Sequence, residues 1–302
     1  MTAPRVTPSR PAVGPLTVDN VLVPLNTSAA SEAAIAPAAE LASHLGAILH
    51  FVTVGVEQVE AEAMARRLDE LCEEHPAAVD TRVDWDVPGE IVSVAEELAP
   101  AVVCMASHAR GRVGEAVLGA YAPDLLAMST DAVLLVGPDY EPGRHLTDGP
   151  VLACVDGSHA SELVARVAIR WAVALGLPVR VVTVAEPAPA GLDDRTVHRL
   201  HGPDGDPQAY VDALAARWRQ PGLDVTGLAV YDPIGPAPGL ATLLESTPCG
   251  LLAVTTHART GFRRAVFGSQ TASILRHSPV PVLVAPMGQE LAHPEAADIV
   301  LP

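Results

Sequence analysis

The feature that most constrains this chain is an internal repeat. Val21 to Val54 (VLVPLNTSAASEAAIAPAAELASHLGAILHFVTV) lies on Val151 to Val184 (VLACVDGSHASELVARVAIRWAVALGLPVRVVTV) without a gap, with 13 of 34 positions identical. The segments that begin at Ser107 and Thr256 share His-Ala-Arg, a later Ala-Val-x-Gly and a closing Val-Leu. The offsets are 130 and 149, so about 19 extra residues sit in the second copy, most of them in the Pro/Gly/Asp-rich stretch Glu186 to Gln208. A chain of 302 residues is too long for one ordinary core and comfortable for two. The expected division is an arm at 1–16, units at 17–138 and 150–286, a linker at 139–149 and a tail at 287–302.

Each copy reads as the same succession of elements. Short apolar runs without alternation, Asn20–Leu25 and Val151–Val155, predict buried first strands. Each is followed by a polar turn and a long Ala-rich helix. Ser158 is placed to cap the second copy's helix, with Ser161 and Glu162 in its first turn. Gly46 and Gly176 stand where a left-handed residue closes a helix. Second strands are expected at Ile48–Val54 and Val179–Val184, and helices at about Val59–Glu74 and Pro207–Arg219. Third strands follow at Val79–Asp86 and Leu223–Val230, then helices opening at Pro88 or Pro236. Fourth strands at Ala101–Ala106 and Leu251–Thr255 and fifth strands at Ala132–Val136 and Val282–Ala285 complete the pattern. Strands alternating with helices of this length imply right-handed crossovers: an α/β fold of two tandem, doubly wound, five-stranded parallel sheets. Ligands of such sheets sit beyond the carboxyl ends of the strands, where the winding reverses. The turns after strands one and four are therefore the candidate sites.

Composition removes several function classes. All 19 basic residues are Arg, so neither a Walker A lysine nor a Schiff-base lysine exists. A net charge of −17 argues against nucleic acid as the main partner. Cys72, Cys104, Cys154 and Cys249 form no C-x-x-C pair and are expected as buried free thiols of a reducing cytoplasm. Residues 1–16 lack an apolar h-region, and no run is long enough to span a bilayer; a cytoplasmic protein is expected.

The residues in the two candidate turns resemble the universal stress protein family. Its ATP-binding members carry an acidic residue after strand one, then G-x-x-G after strand four, nine residues, and G-S or G-T. Glycines let a backbone approach phosphates, and a helix N-terminus supplies donors and positive dipole. In the second copy Asp156-Gly157 stands after strand one. Thr255-Thr256-His257-Ala258 replaces the G-x-x-G, and nine residues from Arg259 to Phe267 lead to Gly268-Ser269-Gln270. The resemblance implies that these residues, with Val184 of strand two and Arg259, would hold ATP, carried with Mg, or a related nucleotide. The Cβ atoms of Thr255 and Ala258 would crowd the phosphate path. Arg259, Arg263 and Arg264 read either as anion-attracting charge or as solvent-facing residues. The first copy departs further: Asn26-Thr27 replaces Asp-Gly, Ala106 and Ala109 replace the glycines, and Gly119-Ala120 loses the hydroxyl. Its weaker candidate set is Asn26, Val54, Ala106, Ala109, Gly119 and Ala120. In the family, units pair through their fifth strands, which implies that Ala132–Val136 meets Val282–Ala285 within this chain. A further homodimer is also implied.

Other constellations yield less. His198 and His201, near Asp193 and Asp194, have no third metal ligand at a recognisable spacing and read as a surface loop. His108 and His257 recur in register without a positioned partner. Trp85, Trp171 and Trp218 are expected as core or half-buried packing. The leading expectation is a stress-response regulatory protein without turnover activity that binds nucleotide in its second unit. The rivals are a ligand-free scaffold and a slow ATPase or related enzyme.

Overall fold

A computed structural model describes residues 16–109, 117–118, 121–185, 206–256 and 269–286. In the first half β1 (Asn20–Pro24), β2 (Ile48–Gly55), β3 (Ala78–Val83) and β4 (Ala101–Ala106) alternate with α1 (Ile35–Leu45), α2 (Gln58–Glu74) and α3 (Val87–Glu97). A two-residue ladder of β5 (His108–Ala109) with β6 (Val117–Leu118), then α4 (Ala122–Met128) and β7 (Val133–Val136), close it. The second half has β8 (Val151–Cys154), α5 (His159–Leu175), β9 (Val179–Ala185), α6 (Pro207–Trp218) and β10 (Val225–Tyr231). It ends with α7 (Pro236–Ser246), β11 (Leu251–Thr255), α8 (Ser269–His277) and β12 (Val282–Ala285).

Strand order is β10-β9-β8-β11-β12-β7-β4-β1-β2-β3, so each half has its third, second, first, fourth and fifth strands side by side, all parallel. The two sheets expected from the sequence are therefore one ten-stranded sheet. The cause is the expected meeting of the fifth strands: β12 pairs β7 antiparallel, with Val282 opposite Leu135, Leu283 opposite Leu134 and Val284 opposite Val133. Leu134 and Leu283 are equivalent in the repeat, so the junction has the geometry of a twofold contact inside one chain. Neither fifth strand is left as an open edge.

Apolar strand residues are buried on both faces, as parallel sheets require. One face packs Phe51, Leu41, Leu68, Ile169 and Trp171 beneath α1, α2, α5 and α6; the other packs Val52, Ile91, Leu125, Leu240 and Leu275 beneath α3, α4, α7 and α8. Segment 139–149 is tied to both halves. Leu146 is fully buried and its N–H donates to Glu40 Oε1 at 2.9 Å, while Arg144 Nη1 donates to the Leu244 carbonyl at 3.1 Å.

Caps behave as the residue types dictate. Ser158 accepts from the Ser161 N–H, and Gly46 and Gly176 close their helices at φ 66° and 69°. The first half's opening helix is split into a 3-10 turn, Ala29–Ala34, and α1. Pro37, which replaces Val167 of the other copy, lacks the N–H that a continuous helix would use there, and its ring crowds the carbonyl four residues back.

Two expectations need correction. Trp85 is 84% exposed, because β3 stops at Val83 and Trp85 falls in the turn before α3. All four cysteines are free, but only Cys104 and Cys249 are fully buried; Cys72 and Cys154 are half-buried. Burial pushes the Cys249 thiol up to about 12 and raises those of Cys104 and Cys154 as well. Trp171 is buried and Trp218 half-buried, as expected. Among the described residues no helix is long and apolar enough to cross a membrane.

Candidate functional site

The reversal of winding falls between β8 and β11 in the second half and between β1 and β4 in the first. At the carboxyl end of β8 the Val155 N–H still donates to the Val182 carbonyl at 2.8 Å; the chain then leaves the sheet at Asp156. Asp156 Oδ1 accepts from the Ser158 N–H at 2.9 Å, and the Asp156 N–H donates to Ser161 Oγ at 3.0 Å. Ser161 Oγ in turn donates to the Ser158 carbonyl at 2.9 Å. Between them Gly157 sits at φ 81°, a left-handed value that favours glycine. The turn is exposed at Asp156 and Gly157, beyond the carboxyl end of β8.

The first half builds the same turn with an amide in place of the acid. Asn26 Oδ1 accepts from the Ser28 N–H at 2.8 Å, and the Asn26 N–H donates to Ser31 Oγ at 3.2 Å. Thr27, which replaces Gly157, has no positive φ, so the backbone path differs there. A hydroxyl-bearing residue recurs beyond strand four: the Ser107 N–H donates to the Val136 carbonyl at 2.9 Å, and the Thr256 N–H to the Ala285 carbonyl at 3.2 Å.

Thr255 and Thr256 are buried, at 8% and 2% exposure, and the Thr255 carbonyl accepts from Thr271 Oγ1 at 3.2 Å. The bulk that replaces the family's first glycine is thus packed into the protein. Val184 is half-buried at the end of β9, next to Gly239 of α7, whose missing Cβ leaves it room. Ser269 and Gln270 open α8, both exposed, and the first turn of that helix has no acidic residue.

The fold therefore brings Asp156, Gly157, Val184 and Thr255 to the carboxyl ends of three adjacent strands. Ser269 and Gln270 stand at the start of the helix that follows β11. His257, Ala258, Arg259, Arg263, Arg264 and Gly268 lie outside the described residues, as do Gly119, Ala120, His198 and His201. In the first half Asn26, Val54 and Ala106 share the equivalent strand ends, and Ala109 belongs to β5. Cavities of about 490 and 620 Å³ lie at the opposite, amino ends of the strands, against Ala39, Ile48 and His75 and against Leu16, Gly176 and Asp224. No chemistry was expected at that end. Among the described residues no three His, Cys, Asp or Glu side chains gather as a metal site.

The helix-one carboxylates were not among the expected site residues. Glu162 accepts from Arg217 at 3.2 Å and from the Tyr210 hydroxyl at 3.3 Å, and Glu32 takes Arg67 through both oxygens at 2.9 and 3.0 Å. Each ties the helix behind the strand-one turn to the next helix of its half. The signal was the shared Ser-x-Ala-Ser-Glu, from Ser28 to Glu32 and from Ser158 to Glu162.

Residues 149–286 match the model of the Universal stress protein family. A search of curated proteins gave no match. Among solved structures, a universal stress protein from Archaeoglobus fulgidus DSM 4304 is similar over 90% of this chain and 100% of its own, with 17% identity and a TM-score of 0.60. A putative universal stress protein from Pseudomonas aeruginosa UCBPP-PA14 covers 92% and 96%, with 20% identity and a TM-score of 0.58. At these identities the likeness shows a common fold. A universal stress protein in complex with cAMP is similar over 45% of this chain and 95% of its own, with 21% identity and a TM-score of 0.35.

Proposed function

We infer, from a second half that carries a universal stress protein family domain, that the chain is a stress-response regulatory protein of two such units, whose second unit binds ATP or a related nucleotide. The observation that carries this reading is the exposed Asp156–Gly157–Ser158 turn beside β11. Its carboxylate is of the kind that accepts from ribose hydroxyls, and Gly157 at φ 81° lets backbone approach a ligand. Across the mouth, the start of α8 offers an anion N–H groups, the Ser269 hydroxyl and the positive end of a helix whose first turn has no acid. ATP fits this donor set, and bound Mg would offset the charge of its phosphates. The protein acts by binding rather than turnover: ligand at this corner orders the start of α8 and biases contacts made elsewhere. For the first half, Thr27 and the missing acid favour the other reading, a unit kept for structure and contact.

Titration calorimetry with Mg-ATP, and with cAMP beside it, tests the assignment. The wild type is expected to bind one nucleotide per chain, and ligand at about 100 times its Kd should stabilise the fold by about 2.7 kcal/mol. Asp156→Ala should lose binding with its circular dichroism unchanged. Absence of heat and of any thermal shift with the wild type at millimolar nucleotide would exclude nucleotide binding.

A further inference from the structure

The two outer edges of the sheet are finished differently. In β10 the Asp232 N–H donates inward to the Ala185 carbonyl, so Val225, Gly227, Ala229 and Tyr231 turn their N–H and C=O groups outward. Side chains take up three of those groups. Gln208 Nε2 donates to the Gly227 carbonyl at 3.3 Å while its Oε1 accepts from the Ala229 N–H at 2.8 Å, as a peptide of a neighbouring strand would. Arg219 donates to the Val225 carbonyl at 3.3 Å. This edge is plugged.

In β3 the Asp84 N–H donates inward to the Gly55 carbonyl, which turns the main-chain groups of Val79, Thr81 and Val83 outward. Among the described residues no side chain takes those groups. All three residues are exposed, Val79 at 43% and Val83 at 47%, with Trp85 beyond them at 84%. The strand reads Val79-Asp80-Thr81-Arg82-Val83, which complements itself when reversed: valine meets valine, acid meets base, and threonine meets threonine.

We propose that β3 is the contact surface for a second copy of this chain, with the two strands pairing antiparallel about Thr81. In that register Val79 lies opposite Val83, Asp80 opposite Arg82 and Thr81 opposite Thr81 of the second copy. The outward-turned odd residues become the hydrogen-bonded pairs, and Asp80 with Arg82 become the non-hydrogen-bonded pairs, where side chains stand closest. Charge favours the pairing. Arg82 is held at 2.8 Å by both Asp80 and Glu97 and at 3.3 Å by Glu90, so three carboxylates share one guanidinium until a second arrives. The chain already makes a contact of this symmetry internally, where β7 meets β12 about Leu134 and Leu283. Because Gln208 and Arg219 cap the β10 edge while β3 pairs about its own twofold, the assembly closes as a dimer instead of growing into a filament. The dimer is independent of nucleotide at the β8–β11 corner.

Sedimentation equilibrium of the full chain over a dilution series, without nucleotide, tests this. The wild type is expected to form a dimer that dissociates on dilution. Thr81→Pro removes an N–H that points away from β2, so it should give a monomer with unchanged circular dichroism. Asp80→Arg and Arg82→Asp each set like charges opposite one another and should be monomeric alone, yet dimerise when mixed. The double variant Asp80→Arg/Arg82→Asp, which exchanges the charges while keeping them complementary, should dimerise by itself. A wild type that stays monomeric throughout, a dimer that survives Thr81→Pro, or a double variant that stays monomeric would overturn the proposal.

Discussion

Ser31 and Ser161 each take the N–H of the turn residue that follows the first strand, Asn26 or Asp156, and Glu32 and Glu162 each hold an arginine of the helix that follows the second strand. These contacts are made by residues identical in the two copies, so the residue scale carries the duplication further than the alignment does. The acid at position 156 and the caps were legible in the sequence, because a strand end, an Asx turn and an N-cap are local events. The hydroxyl bridge across the turn was not, because it depends on how tightly the chain folds back. His50 shows a second non-local effect. It is buried with Nε2 at 2.8 Å from Asn20 Oδ1, and burial lowers its pKa against an opposing pull from Asp80. The unfolded chain therefore takes up a proton as pH falls through about 6.5 while the native state resists, so this contribution is full above that pH and lost below it. Between about pH 7 and 5 the thermal midpoint of the wild type should fall further than that of His50→Gln, whose amide can still donate to Asn20. Equal falls would exclude His50 from the acid sensitivity.

At the scale of elements, the alternation of strands and helices survived almost intact. Both fourth strands and β12 have the bounds their apolar runs predicted. The third strands were less legible: β3 ends at Val83 instead of Asp86. Edge strands are half solvated, so their sequences lack the continuous apolar run that marks the interior. Pro37 and the plugging role of Gln208 were also invisible as patterns, since each acts through where its chain neighbours lie. Gln208→Ala should cost about 0.5–1.5 kcal/mol, because the Gly227 carbonyl and Ala229 N–H lose their side-chain partner. The same variant should associate more readily at high concentration, since it opens a second edge. A denaturant midpoint and light scattering identical to wild type would show that the edge does not need its plug.

Across the whole molecule, the repeat made the ten strands of the large sheet readable in advance and the family resemblance implied the meeting of fifth strands, while their fusion into one sheet followed from the register of β7 on β12. The buried Leu146 and the Gly250 backbone, which leaves no room for a Cβ beside His145 and Leu146, lock segment 139–149 in place. On the proposed function, the two equivalent corners differ because the second has an acid and a glycine, Asp156 and Gly157, where the first has Asn26 and Thr27. Amide hydrogen exchange read peptide by peptide, with and without saturating Mg-ATP, compares them directly. Nucleotide-dependent protection is expected at residues 155–161 and in the first turn of α8, with none at the matching residues 25–31. Protection at both corners, at the first alone, or at neither would contradict this expectation.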